Sequence, residues 1–410
     1  MESLPPLPGQ RRVRAEFPAL AADLVFMENA GGSQVPACVA DAVHRYLRET
    51  YVQVGAGYPL SDICTTTVAD AHAFARAFLN ARRGEAILGP STTALLGMLA
   101  DCYARVLPAG AEIILAENGH EANLGCWDRL QDRGVVVRWW RVDPETATCT
   151  MDGLADLLSE RTALVALPHV SNLVGEVADL GAVVRAAHAV GARVVADGVA
   201  YAPHHAPDVD AWDVDWYAYS AYKVYGPHLA VLYGRDDALA ELPGPNHFFV
   251  TRDEGAYYFE PGGPSHEACA GLLALGDYLA LVAGVEAARG RERETVVAAF
   301  DRFPGWERPL LERLLDRLAH EPAVRVIGSP SAGADRVGTV SFVHERLASR
   351  AIAASLQQSG IAVRNGNMYA WRLCRALGLD PADGVVRVSF VHYNTVEDME
   401  RVVNALDHVL

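Results

Sequence analysis

Short, almost wholly apolar runs recur along the chain at 85–89, 112–116, 135–142, 163–169, 193–197, 216–219 and 229–234. Runs such as LVALPHV, RVVAD and LAVLYG show no alternation of polar and apolar positions. Each therefore lacks a solvent face, which predicts strands buried on both sides and covered by helices. Helical spacing fills the gaps between them. Residues 68–80 carry Ala, Phe and Leu at helical intervals, 93–107 follow the capping pair Ser91 and Thr92, and 180–190 stop before Gly191. Strand–helix alternation on this scale predicts an α/β domain with a largely parallel sheet.

The pattern changes after about residue 255. A turn-rich passage, YYFEPGGPSHEACAG, precedes long helical stretches over 268–303 and 308–320. Strand-like runs at 337–343, 360–366 and 385–390 then alternate with helical patterns at 349–359 and 396–406. The expected organisation is an N-terminal arm (1–20) packing on the small domain, a large α/β domain (21–260) and a smaller α+β domain (261–410).

Composition narrows the class. Half of the 410 residues are apolar and a fifth are charged, as in an ordinary globular protein. Acidic residues outnumber Lys and Arg by 51 to 35, a formal charge of −16, which argues against nucleic acid or an anionic membrane as partner. No run approaches about 18 uninterrupted apolar residues, so no membrane span is expected. The start of the chain has Pro5, Pro6, Pro8, Arg11 and Arg12 but no apolar core, unlike a secretory signal. Seven scattered cysteines without a CxxC pair read as reduced thiols, and the expected location is cytoplasmic. No metal site is expected, since the adjacent His204 and His205 have no carboxylate at ligand spacing.

Chemistry-bearing residues fall at the ends of the apolar runs. Lys223, in SAYKVYGPHLAVLYG, lies between two of them, where a charged amine is costly to bury. Desolvation there lowers a lysine's pKa and makes it a nucleophile able to form a Schiff base. Asp197 ends the run RVVAD, 26 residues earlier, at the kind of strand end where open α/β sheets bind ligands. Ser91, Thr92 and Thr93 open a helix, and a helix N-terminus favours phosphate. His120 and Asn172 follow two further strand ends. Each alone reads equally well as a turn, a cap or core packing. Together and in this order they are the set that pyridoxal phosphate needs: a phosphate cradle, a ring to stack on, a partner for the pyridine nitrogen and an amine for the aldehyde.

On these motifs the chain resembles fold-type I pyridoxal-phosphate enzymes of the class V aminotransferase group, most closely cysteine desulfurases and selenocysteine lyases. The specific points are the His120 segment, HVSN with Asn172, ADG with Asp197, SAYK-x-YGP with Lys223 and RVSFVHYNT with Arg387. The resemblance implies a mostly parallel seven-stranded sheet with a smaller C-terminal domain. It also implies a homodimer with shared active sites. It implies that Lys223 carries the cofactor and moves protons, Asp197 pairs with the pyridine nitrogen, and His120 stacks on the ring. Asn172 then contacts the ring oxygen or substrate, Thr92, Thr93 and Ser220 hold the phosphate, and Arg387 binds the substrate carboxylate. Gly263 marks a cofactor contact made across subunits, and 262–265 is the segment expected to cross. Tyr58 and Tyr369 are expected to line the substrate pocket, with Tyr201 and Tyr222 as further walls.

The chain departs from the desulfurases in ways that bear on the reaction. Tyr369, in VRNGNMYAW, stands where their persulfide cysteine is expected, and Cys374 reads as a core residue on a helix face. Tyr222 replaces a histidine before the lysine, Ala200 replaces a polar residue, Gly263 replaces a threonine, and Gly55–Ala56 replaces a bulky His-Arg pair at the entrance. Small residues there imply room for a substrate larger than cysteine. The chain is thus similar to carbon–sulfur lyases of specialised metabolism, of the ergothioneine and lincosamide type, and its Ala-, Arg- and Gly-rich composition points to a high-GC bacterium. The expected reaction is β-elimination from cysteine or an S-substituted cysteine, giving thiol, pyruvate and ammonia. The alternatives are decarboxylation-coupled oxidative deamination, epimerisation, and a pyridoxal-binding sensor without turnover.

Overall fold

The computed structural model describes residues 9–410. The seven apolar runs form one sheet, in the order Glu85–Gly89, Ala230–Gly234, Trp216–Ser220, Arg193–Asp197, Thr162–Pro168, Glu112–Ala116, Val136–Trp140. Ala230–Gly234 runs antiparallel to both neighbours, and all other pairs are parallel. Side chains alternate between the faces. Ile114, Val165 and Val194 pack on one side, and Ile113, Leu164 and Val195 on the other, all fully buried. A sheet dry on both faces leaves no place for polar alternation, which is why its strands read as unbroken apolar runs. The edge strand Val136–Trp140 is the most open, with Val136 exposed and the next three residues half-buried.

A second, four-stranded antiparallel sheet has the order Arg364–Gly366, Val385–Ser389, Thr339–His344, Val324–Val326. Its core takes Leu310 and Leu314 from helix Phe303–Ala319, Ile352 and Leu356 from Ser349–Gln358, and Met399 and Val402 from Val396–Val409. Val25 and Met27 join this core, and Val25–Phe26 pairs in parallel with Ile361–Ala362.

The structure departs from the sequence pattern in particular places. The long helix expected over 268–303 breaks at Gly284, whose φ of 76° ends His266–Ala283 in the left-handed conformation that glycine adopts without strain. The chain resumes helical form as Arg293–Phe300. The helix expected from residue 308 begins at Phe303, because Pro304 in its first turn loses no hydrogen bond. Cys269, Leu272 and Leu275 of His266–Ala283 pack with the large sheet.

That same helix is long and apolar enough to span a bilayer by length and composition, yet 67% of it is buried inside the fold. Within the expected N-terminal arm, Gln10 Nε2 donates to the carbonyls of His392 (2.9 Å) and Asn394 (2.7 Å), and Arg14 pairs with Asp398 at 2.8 Å. The arm's residues 1–8 lie outside the described residues.

Candidate active site

Strands Glu85–Gly89, Glu112–Ala116, Thr162–Pro168, Arg193–Asp197 and Trp216–Ser220 run the same way, so their C-terminal ends share one rim. A cleft of about 510 Å³ opens there, lined by Thr92, His120, Asn172, Asp197, Ser220 and Lys223 among others. A second recess, of about 410 Å³, shares His120, Asn172 and Lys223 with it and adds Arg387, Arg364 and Tyr369.

Lys223 ends the turn Ala221–Lys223 that follows strand Trp216–Ser220, and it is 9% exposed. Burial pulls its pKa from about 10.5 down to about 8, the Arg387 guanidinium pushes the same way, and Asp197 opposes. It is also the only lysine in the chain; every other basic residue among the 35 is arginine. A guanidinium does not deprotonate in proteins, so Lys223 is the one basic side chain that can offer a neutral amine. That count alone marks the position, with no motif needed.

The remaining groups surround this amine. One oxygen of Asp197 accepts the Val199 amide at 3.0 Å. Burial raises the Asp197 pKa, and a cationic ring nitrogen set against the carboxylate would reverse that. Gly198, next in line, has no room for a side chain, since a Cβ would fall 2.1 Å from the Tyr217 ring. His120 Nδ1 accepts the Ala122 amide at 3.0 Å, which leaves the ring proton on Nε2. Burial, with Lys223 and Arg387 nearby, lowers its pKa to about 4, so it presents a flat neutral ring.

At the phosphate end, Thr92 and Ser220 share a buried hydrogen bond of 2.7 Å across the mouth of helix Thr92–Tyr103. Ser91 caps that helix, its Oγ accepting Ala94 and its carbonyl accepting Leu95. The amides of Thr92 and Thr93 are left without a protein acceptor among the described residues, as helix starts require of their first turn.

On the substrate side, Arg387 is 2% exposed and donates to the Asn172 carbonyl at 3.0 Å, while its Nε has no partner among the described residues. Burial lowers its pKa to about 10. Asn172 Nδ2 donates to the Met368 carbonyl at 2.8 Å, and its Oδ1 is buried without a partner. Met368 and Tyr369 both have positive φ (51° and 60°), a strained geometry for bulky residues. The Asn172 bond and one from the Glu121 amide to the Tyr369 carbonyl (2.8 Å) hold this turn over the recess, with the Tyr369 ring 5.3 Å from His120.

The structure thus brings together Lys223, Asp197, His120, Asn172, Thr92, Thr93, Ser220, Arg387 and Tyr369. It does not bring Tyr58 or Gly263 to the cleft of the same chain. Tyr58 is 43% exposed before helix Pro59–Leu79, and Gly263 lines a separate hollow with Pro90 and His228. Tyr201 stacks on His169 (3.7 Å) behind the site, and Cys374 is wholly buried. Arg364 lines the recess unforeseen, and it pairs with Glu28 at 2.8 Å. No sequence signal marked Arg364, since its pairing opposite Arg387 is set by strand register.

The donor set fits pyridoxal phosphate on this chain's own terms: free helix amides for the phosphate, an orphaned Asn172 oxygen, a carboxylate and a desolvated amine in one cleft. A family profile described as Aminotransferase class-V matches residues 25–402. The chain is 36% identical to the Aminotransferase-like protein FGM3 of Gibberella zeae, over 97% of this chain and 98% of that one. It is also 36% identical to the Nonribosomal peptide synthetase-like enzyme fsqF of Aspergillus fumigatus, over 97% of this chain and 26% of that protein. The crystal structure of the cysteine desulfurase CsdA from Escherichia coli superposes with a TM-score of 0.81 at 26% identity, over 98% of both chains.

Proposed function

The chain belongs to the class-V aminotransferase family, whose members depend on pyridoxal phosphate, and from that premise we propose that it is a carbon–sulfur lyase acting on an S-substituted cysteine. The observation that carries this reading is what faces Lys223 across the recess. The turn there presents Tyr369, and no cysteine lines either cavity. Cys374, the cysteine nearest in sequence, is fully buried, and burial pushes its thiol up to about 11. Sulfur transfer to the protein needs an exposed thiolate at the substrate sulfur. Elimination needs only a carboxylate clamp, a base and an electron sink.

Bound in the cleft, pyridoxal phosphate supplies that sink for charge released at the substrate Cα. The residues divide the remaining work. Thr92, Thr93 and Ser220 would hold the phosphate, His120 would cover the ring, and Asp197 would hold the proton on the ring nitrogen. Arg387 clamps the α-carboxylate through its planar fork. Burial and, after it, the Arg387 charge favour the neutral form of Lys223, and that form takes the Cα proton. The thiolate then leaves Cβ, and uptake of one water yields pyruvate and ammonia.

Further parts of the reading rest on separate observations. We place the enzyme as a homodimer, because Phe248 (98% exposed), Phe249 and Ile63 expose apolar area and because Tyr58 and Gly263 serve no cleft of their own chain. Seven unpaired cysteines suit a reducing, cytoplasmic compartment. A role in specialised metabolism draws support from the likeness to part of a nonribosomal peptide synthetase-like enzyme.

Product analysis tests the proposal. Holoenzyme is given S-substituted cysteines from S-methyl to bulky conjugates, and thiol, pyruvate, carbon dioxide and hydrogen peroxide are followed together. Thiol and pyruvate in equal amounts are expected. Carbon dioxide and an aldehyde without thiol would replace the lyase with a decarboxylating deaminase.

A further inference from the structure

Two arginines stand face to face at the substrate recess. In the antiparallel pair of strands Arg364–Gly366 and Val385–Ser389, Arg364 is the direct cross-strand partner of Arg387. Opposed residues of such a pair put their side chains on the same face with Cβ atoms about 5 Å apart. Both guanidiniums line the same recess, beside Lys223. Like charges placed this way repel, and a sheet gains nothing from them. Among the described residues only Glu28 answers the charge of Arg364, through one hydrogen bond of 2.8 Å to its Nη1. That pair is open, with Arg364 51% and Glu28 28% exposed, so it is weak and leaves the other donors of Arg364 for a ligand. Room for the Glu28 carboxylate is itself kept by Gly31, where a Cβ would fall 2.3 Å from it.

We propose that Arg364 reads a second acidic group on the substrate, so that the preferred substrates are amino acids whose side chain carries a carboxylate-like anion on Cβ or a few bonds beyond it. The inference rests on the proposed function only for the placement of the α-carboxylate on Arg387. With that carboxylate on one guanidinium, the adjacent one is within reach of an anion a short distance along the side chain. Glu28 holds Arg364 in place until that anion arrives and then shares it. Arg364 is a specificity-determining residue on this account, and its fork geometry suits a planar carboxylate.

Matched pairs of ligands test it. Holoenzyme is titrated calorimetrically with succinate and with its half-amide, succinamate, which have the same shape and differ by one charge. Neither requires turnover. Succinate is expected to bind ten- to a hundredfold tighter, the range for a charge-assisted hydrogen bond. Arg364→Gln is expected to bring the two within about threefold of each other, and Glu28→Gln to widen the gap.

In turnover, S-carboxymethylcysteine is expected to beat its carbamoylmethyl isostere by a similar factor, carried by KM. Arg364→Gln is expected to abolish that preference. If neither cysteine derivative reacts while the succinate preference holds and depends on Arg364, the lyase reading fails and this assignment stands. Equal binding of succinate and succinamate to the parent protein, or a preference that survives Arg364→Gln, overturns the proposal.

Discussion

The neutral amine of Lys223 is the quantity on which the site turns, and it can be perturbed through Arg387. An ordinary lysine with a pKa near 10.5 is uncharged about once in 3,000 molecules at pH 7, whereas one lowered to about 8 is uncharged about once in ten. Burial and the Arg387 charge therefore raise the reactive fraction roughly 300-fold at neutral pH. The rate at which the apoprotein captures pyridoxal phosphate covalently follows this fraction. It is expected to rise with pH and level off above about pH 8. Arg387→Gln removes a positive neighbour, so the lysine holds its proton more firmly. The plateau then moves to higher pH and capture at pH 7 slows. Stopped-flow absorbance measures the rate, and pyridoxamine phosphate, which makes the same contacts but no covalent bond, corrects for binding. A capture rate flat from pH 6.5 to 9.5, a midpoint near 10 in the parent protein, or an unmoved midpoint in Arg387→Gln refutes the reasoning.

Three other substitutions probe separate parts of the account. Gly198→Ala drives a Cβ to within 2.3 Å of three atoms of the fully buried Tyr217 ring, so it is expected to cost about 3 kcal/mol or more in a denaturant titration; parental stability would contradict the packing. Glu176 has its pKa raised to about 7 by burial and by Asp335, so the fold prefers it protonated and loses stability as pH rises from about 4.5 through 7. Glu176→Gln is expected to flatten that loss and raise Tm at pH 8, and a variant whose Tm tracks the parent across the range speaks against it. Cys374→Ala is expected to leave thiol release at the parental rate, since its thiol is sealed in an apolar cluster with Leu173, Leu373 and Val385; loss of turnover would indicate a sulfur-carrying role.

Much of the architecture was legible because the large sheet is dry on both faces. The runs RVVAD and LVALPHV have no polar side to disguise them, and the residues that follow such runs gather at one rim by parallel geometry alone. Lys223, Asp197, His120 and Thr92 were readable for that reason. Helix ends were harder. Gly284 inside an apolar stretch carries no mark of its left-handed φ, and Pro304 looks like a stop although it sits where a proline is harmless. The amphipathic helix Ala37–Glu49 also escaped notice, because its buried stripe is narrow: only Val39 and Tyr46 are fully buried. Arg364 was not legible at all. Its meaning depends on the cross-strand register that sets it against Arg387, and register is a property of the folded pair. Tyr58, expected at the pocket, lies away from it in the single chain, and Gly263, expected to act across subunits, lines a separate hollow.

The most direct test uses the composition of the chain itself. Because Lys223 is the only lysine, borohydride reduction of the pyridoxal-phosphate-loaded protein has one side-chain amine to trap, and peptide mass spectrometry reads the result without ambiguity. The account predicts a single pyridoxyl group on the peptide bearing Lys223, loss of the visible chromophore, and no label in Lys223→Ala. A label found only on the N-terminal amine, or a Lys223→Ala protein that keeps both colour and turnover, would contradict it.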